Sequence, residues 1–153
     1  MRLQSHCLLV FTGQSRIASV VAMEQIQNTP KKEKELHQMR QMVDEAISIL
    51  ASSEDNLQEF GKLLDESWRI KQTLSSKITN PIINEMYQTA LKAGAWGGKL
   101  LGAGGGGFLL IFADPEIQPR IRERLKEFIS VPVVFEQDGS RVIYRTPEYM
   151  YEA

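Results

Sequence analysis

Cysteine is nearly absent from this chain. Cys7 stands alone, so no internal disulfide can form, and the composition fits a reducing compartment. Inside an apolar run, that thiol reads as buried and inert. Histidine is almost as scarce: His6 and His37 lie far apart with no clustered partners, which argues against a metal site. No charge dominates. Lys and Arg number 18 against 19 Asp and Glu, for a formal net charge of −1. No global field therefore draws in nucleic acid or an anionic membrane. The one dense run, Lys31-Lys-Glu-Lys-Glu35, mixes signs and opens a helix, as a solvated face does. Long hydrophobic runs are missing too; none approaches the ~18 apolar residues of a membrane span. Arg2 is followed only by the short run Cys7 to Phe11, with no small-residue cleavage site, so a signal peptide is not indicated. We expect a cytoplasmic protein that binds neither nucleic acid nor membrane. With 153 residues, 42% hydrophobic and 24% charged, there is room for one domain, residues 1–153, with a real core.

Glycine is thinly spread except in one place. Eight of the eleven glycines fall between Gly94 and Gly107, and Gly104 to Gly107 run straight into the apolar segment Phe108 to Phe112. Such a run costs backbone entropy. It is kept where φ must be positive, where another group approaches the backbone, or where bare N–H groups cradle an anion. A phosphate or nucleotide is one reading; a tight connection packed against another backbone is the other. The Walker A pattern fails, because Gly98-Lys99 is followed by Leu100 and Ala93 stands at the first glycine position. Gly102-Ala-Gly104-Gly-Gly-Gly107 meets the dinucleotide spacing. A helical pattern precedes it and a strand follows, the reverse of the dinucleotide order.

Along the chain, Cys7 to Phe11 reads as a buried strand ended by Thr12-Gly13-Gln14. Ser15 is placed to cap a helix with Ile17, Val20, Val21 and Met23 near one side, broken at Asn28-Thr29-Pro30. A second helix runs from about Lys31 to Ala51, and a third carries Leu57, Phe60, Leu64 and Trp68. A fourth starts at Asn80-Pro81 and continues through Leu91. Phe108 to Ala113 reads as a strand, and Ile117, Ile121, Leu125 and Phe128 trace another helix. Val131 to Phe135 and Ser140 to Tyr144 read as two strands joined by an Asp138-Gly139 hairpin turn. The order predicts an α+β fold: a small, mostly antiparallel four-stranded sheet with helices packed on it.

Lys99-Leu-Leu-Gly-Ala-Gly-Gly-Gly-Gly-Phe108 resembles the third motif of the GHMP kinases, the superfamily of galactokinase, homoserine kinase, mevalonate kinase and phosphomevalonate kinase. Leu8-Leu-Val-Phe-Thr12-Gly-Gln-Ser-Arg16 resembles a strand and turn of the sugar-kinase branch acting on heptose 7-phosphate. Together they anchor both ends of the resemblance, which covers nearly the whole chain. The resemblance implies the family's C-terminal domain, of ferredoxin-like type. It further implies the C-terminal half of an ATP- and Mg2+-dependent kinase for a sugar or sugar phosphate. That family's serine-containing phosphate loop and its catalytic carboxylate belong to an N-terminal domain, and nothing in this sequence matches them. We therefore expect this chain alone to be inactive, with no catalytic residue and no metal ligand of its own, and to need the N-terminal domain as partner. A missing half would leave an apolar face near the glycine run and the first strand.

By resemblance, Lys99, Gly102, Ala103, Gly104, Gly105, Gly106 and Gly107 face the cleft and support the phosphate loop. Thr12, Gly13, Ser15 and Arg16 stand where a strand gives way to a helix and would meet the substrate. The plainer readings stay open. Lys99 is also a surface lysine at a helix end, Ser15 a simple cap, Arg16 solvent-facing, and Trp96 a packing residue rather than a stacking platform. At the level of the whole chain, a non-catalytic binding or regulatory module of the same fold is the alternative.

Overall fold

The apolar runs at the two ends of the helical region pair with each other. In the computed structural model, which describes residues 2–15, 17–52 and 56–144, Cys7–Phe11 (β1) lies antiparallel to Phe108–Phe112 (β3), from Cys7 opposite Phe112 to Phe11 opposite Phe108. Gly97–Leu100 (β2) pairs with the other edge of β3, and Ser130–Val131 (β4) with the other edge of β1. The strand order is β2-β3-β1-β4, antiparallel throughout.

Side chains alternate across a strand, so each strand feeds both faces. Leu8, Val10, Leu100, Leu109 and Ile111 form one face, and none exceeds 1% exposure. They join a core with Ile83, Met86, Tyr87 and Ala90 of Pro81–Lys92 (α5) and Ile121 of Gln118–Arg124 (α6). Pro81 suits the first turn of α5, and the Asn80 side chain caps it by accepting from Ile83 N–H at 3.0 Å. The opposite face carries Cys7, Leu9, Leu110 and Phe112. It is only partly covered, and a groove of about 300 Å3 remains above it.

Leu57–Gln72 (α4) lies along β2 and carries Glu33–Ala51 (α3) on its flank. The approach is close because Gly61 of α4 meets Gly97 of β2; a Cβ on Gly97 would overlap the Gly61 carbonyl. Ala18–Asn28 (α2) follows β1, and a turn of 3-10 helix at Thr29–Lys31 leads into α3.

The α+β reading and the antiparallel sheet hold; several details do not. Gly97–Leu100 is a strand that its glycines disguised as loop. The expected hairpin is absent: β4 ends at Val131 because Pro132 has no N–H to continue pairing, and 132–144 has no regular structure. Arg2–Ser5 forms a short helix (α1), and α6 stops at Arg124 rather than reaching Phe128. Ser15 caps nothing. The residue at the N-cap of α2 is Ile17, with no side-chain cap bond, and the helix buries Val21 while Ile17, Val20 and Met23 stay exposed.

Candidate functional site

The glycine run is the connection of the β2–β3 hairpin. Leu101 N–H bonds to Phe108 O at 2.9 Å and closes its base. Beyond that point the loop is held from outside by three groups of residues distant in sequence. From the end of β1, Thr12 donates to Gly107 O twice, from N–H at 2.9 Å and from Oγ1 at 2.8 Å, while Gly107 N–H returns a bond to Gln14 O at 3.0 Å. From the α4–α5 connection, Ile78 O accepts from Gly105 N–H at 2.7 Å, and Asn80 Nδ2 lies 3.5 Å from Gly105 O. From two helices, Gln25 Nε2 of α2 donates to Ala103 O at 2.7 Å and Lys71 Nζ of α4 to Gly102 O at 2.5 Å.

These contacts explain two of the glycines physically. Gly104 has φ +116, and a Cβ there would lie 2.7 Å from Ile78 Cα. At Gly106 a Cβ would lie 2.6 Å from Gln14 O. The backbone packs against backbone on both sides, which only glycine allows. Of the two readings left open by the sequence, close backbone packing accounts for these positions. The loop is not an open anion nest of four free donors, since Gly105 and Gly107 N–H point to carbonyls of the same chain.

Residues 12–15 run beside this loop. Thr12 is buried at 1% exposure, and its hydroxyl also accepts from Gln14 N–H at 3.3 Å. Gly13, with φ +68 and open space where a Cβ would stand, is exposed, as is Ser15. Arg16 lies outside the described residues. Lys99 sits within β2 opposite Leu110, half-buried on the groove side of the sheet, not at a helix end. Trp96 packs: its ring stacks with His6 at 5.4 Å between centroids and lies 6.1 Å from Phe112. Leu101 and Phe108, at the two ends of the loop, are 36% and 37% exposed and continue the apolar groove toward the glycines.

Sequence reasoning missed the brace formed by the connection 74–80. Glu24 of α2 accepts from Ser76 N–H and Oγ at 3.0 Å and pairs with Lys77 at 3.3 Å, and Asn28 donates to Leu74 O at 2.9 Å. Hydrogen bonds from Ser75, Ser76 and Lys77 hold the Glu24 carboxyl below the usual carboxylate range. A polar connector between helices gives no local signal that it will hold a loop some 25 residues downstream. Among the described residues, no three His, Cys, Asp or Glu side chains converge as metal ligands, and no helix is long and apolar enough to cross a membrane.

Comparison with known proteins places this geometry. The family model described as GHMP kinases C terminal matches residues 37–131. The bifunctional fucokinase/GDP-fucose pyrophosphorylase of Arabidopsis thaliana is 30% identical over 130 residues, spanning 82% of this chain and 12% of that protein. D-glycero-alpha-D-manno-heptose 7-phosphate kinase of Campylobacter jejuni is 32% identical over 114 residues, 74% of this chain and 33% of the relative. This chain thus spans a third or less of those relatives. Among solved structures, L. major mevalonate kinase in complex with R-mevalonate superposes with a TM-score of 0.68 at 21% identity, over 79% of this chain and 37% of that one. The match of the family model over more than half the sequence, from within α3 through the glycine hairpin to β4, makes this chain a member of the GHMP kinase family.

Proposed function

We propose that this chain is the C-terminal half of an ATP-dependent sugar or sugar-phosphate kinase, heptose 7-phosphate being the favoured acceptor class. Its role is to hold the glycine loop beside a cleft completed by an N-terminal half. The observation that carries the reading is the bracing of the loop from β1, α2, α4 and the α4–α5 connection. With Gly105 and Gly107 N–H bonded to carbonyls of the same chain, the loop serves in this reading as a supporting wall rather than as the main phosphate cradle. The described residues also offer no carboxylate cluster for magnesium. In this reading the groups that bind ATP and Mg2+ belong to the partner half. Phosphoryl transfer rests on positioning and on charge stabilisation around the phosphate and metal. A wall without those groups supports catalysis but does not perform it.

In this reading Gly102, Ala103 and Gly104 to Gly107 back the partner's phosphate loop, with Lys99 as a charge on the neighbouring strand. Thr12 anchors the glycine loop. Gly13, Ser15 and Arg16 form the acceptor side, where a phosphorylated sugar would meet exposed backbone N–H groups and a guanidinium. The sugar substrates named for the fucokinase and heptose kinase relatives support a sugar acceptor.

Two measurements test this. Purified chain is assayed for ADP release with magnesium, ATP and a panel of sugars and sugar phosphates; the expected result is background, and sustained turnover overturns the half-enzyme reading. The chain is also grafted in place of the matched segment of the C. jejuni heptose kinase. Turnover of the graft supports the proposal. A folded, docked graft without turnover supports the non-catalytic module instead.

A further inference from the structure

The helix α2 is built inside out. Val21, Glu24, Gln25 and Asn28 lie within an arc of about 100° and face the protein. There Glu24, Gln25 and Asn28 hold the 74–76 connection and the glycine loop. The opposite side carries Val20, Met23 and Ile26, at 47%, 59% and 71% exposure. Glu24, the one charged residue between Ile17 and Asn28, points inward. A solvent-facing helix shows the reverse pattern, and a contiguous apolar stripe on an outer face marks a surface covered by something else.

Its position says what covers it. Its helix follows shortly after Gln14, whose carbonyl is bonded to Gly107 N–H, and the inward Gln25 holds Ala103 O, so the stripe is the outer side of the helix that flanks the glycine loop. The matched relatives contain this unit as 33% of a heptose kinase chain and 37% of a mevalonate kinase chain. The remaining chain in such proteins is the body that must come to rest beside that loop. We propose that the outward stripe Val20–Met23–Ile26 is the seat of the kinase's other half. Because the inward face of the same helix holds Ala103 and the 74–76 connection, docking there would fix the shape of the glycine loop. This rests on the half-enzyme reading above and deepens it: α2 becomes a two-sided lever, apolar toward the partner and polar toward the loop.

The test uses the whole 153-residue chain and the graft into the C. jejuni kinase. In the chain alone, Met23→Lys with Ile26→Lys is expected to move Tm by less than about 2 °C and to lower binding of a hydrophobic dye. A fall of more than about 5 °C means the stripe is core of the chain's own fold and overturns the proposal. In the graft, hydrogen exchange at residues 18–28 should slow relative to the chain alone, and the double variant should split one melting transition into two. A graft with a single transition whose α2 exchanges as fast as in the chain alone overturns the proposal. A dimer of the chain alone that the double variant breaks also overturns it, since a second copy then occupies the stripe. Gln25→Ala should leave the graft docked, with one transition, yet speed exchange at residues 102–107; unchanged exchange there removes the link to the loop. A docked graft with a protected α2 and no turnover supports the seat while rejecting the kinase reading, so the two failures are separable.

Discussion

At Gly104 a single missing methyl group decides whether the loop fits. With φ +116 and Ile78 Cα 2.7 Å from where a Cβ would stand, Gly104→Ala combines backbone strain with a backbone clash. Urea unfolding should show a loss of about 2–4 kcal/mol; a variant as stable as the parent would mean the connection 74–80 yields freely. Tyr87 is a second residue with a specific signature. Its Oη donates to Asp65 Oδ1 at 2.6 Å, and burial, reinforced by that carboxylate, pushes the phenol well above its ordinary value of 10.0. The folded state thus holds the proton more tightly than the unfolded state. The resulting stability is fully present below about pH 10 and is lost as pH rises beyond it. Tyr87→Phe should cost about 1–2 kcal/mol near neutrality, and the gap between variant and parent should close above pH 10. Parallel pH–stability curves for the two proteins would contradict this.

Among the elements, α5 shows how one residue serves two purposes. Asn80 caps the helix through Oδ1 and reaches Gly105 O through Nδ2. Asn80→Ala should lose about 1–2 kcal/mol. Asn80→Asp keeps the cap acceptor but has no donor, so stability should stay near that of the parent while hydrogen exchange at residues 104–107 quickens. Equal exchange in the Asp variant would show that the cap alone matters. The helices were readable from spacing because their apolar positions recur every three or four residues, as in Ile83, Met86, Tyr87 and Ala90. So were β1 and β3, as continuous apolar runs. β2 was not: Gly97 and Gly98 sit there for the sake of α4 and β3, and a strand chosen for closeness lacks strand residues. The Ser140–Tyr144 strand failed in the opposite sense. Its residues suit a strand, but Val142, Ile143 and Tyr144 stand 76–89% exposed with no sheet edge beside them. At the site, the glycine motif and the Thr12 turn were legible from sequence. The brace from Gln25, Lys71 and Ile78 was not, because nothing local in a sequence announces which distant carbonyl a side chain will find.

For the whole molecule, the pairing of β1 with β3 has a consequence in time. Cys7 meets Phe112, so the central seam of the sheet joins positions separated by α2, α3, α4, α5 and β2. Contacts this distant are closed late, after the loop between them has been ordered. During synthesis β1 leaves the ribosome before β3 and waits, its Leu8, Leu9 and Val10 without that partner, until the helices between them and then β3 have emerged. The glycine loop directly precedes β3, and its anchor at Thr12 directly follows β1. The anchoring of the glycine loop is therefore set only when that seam closes, and an earlier arrest leaves helices without it.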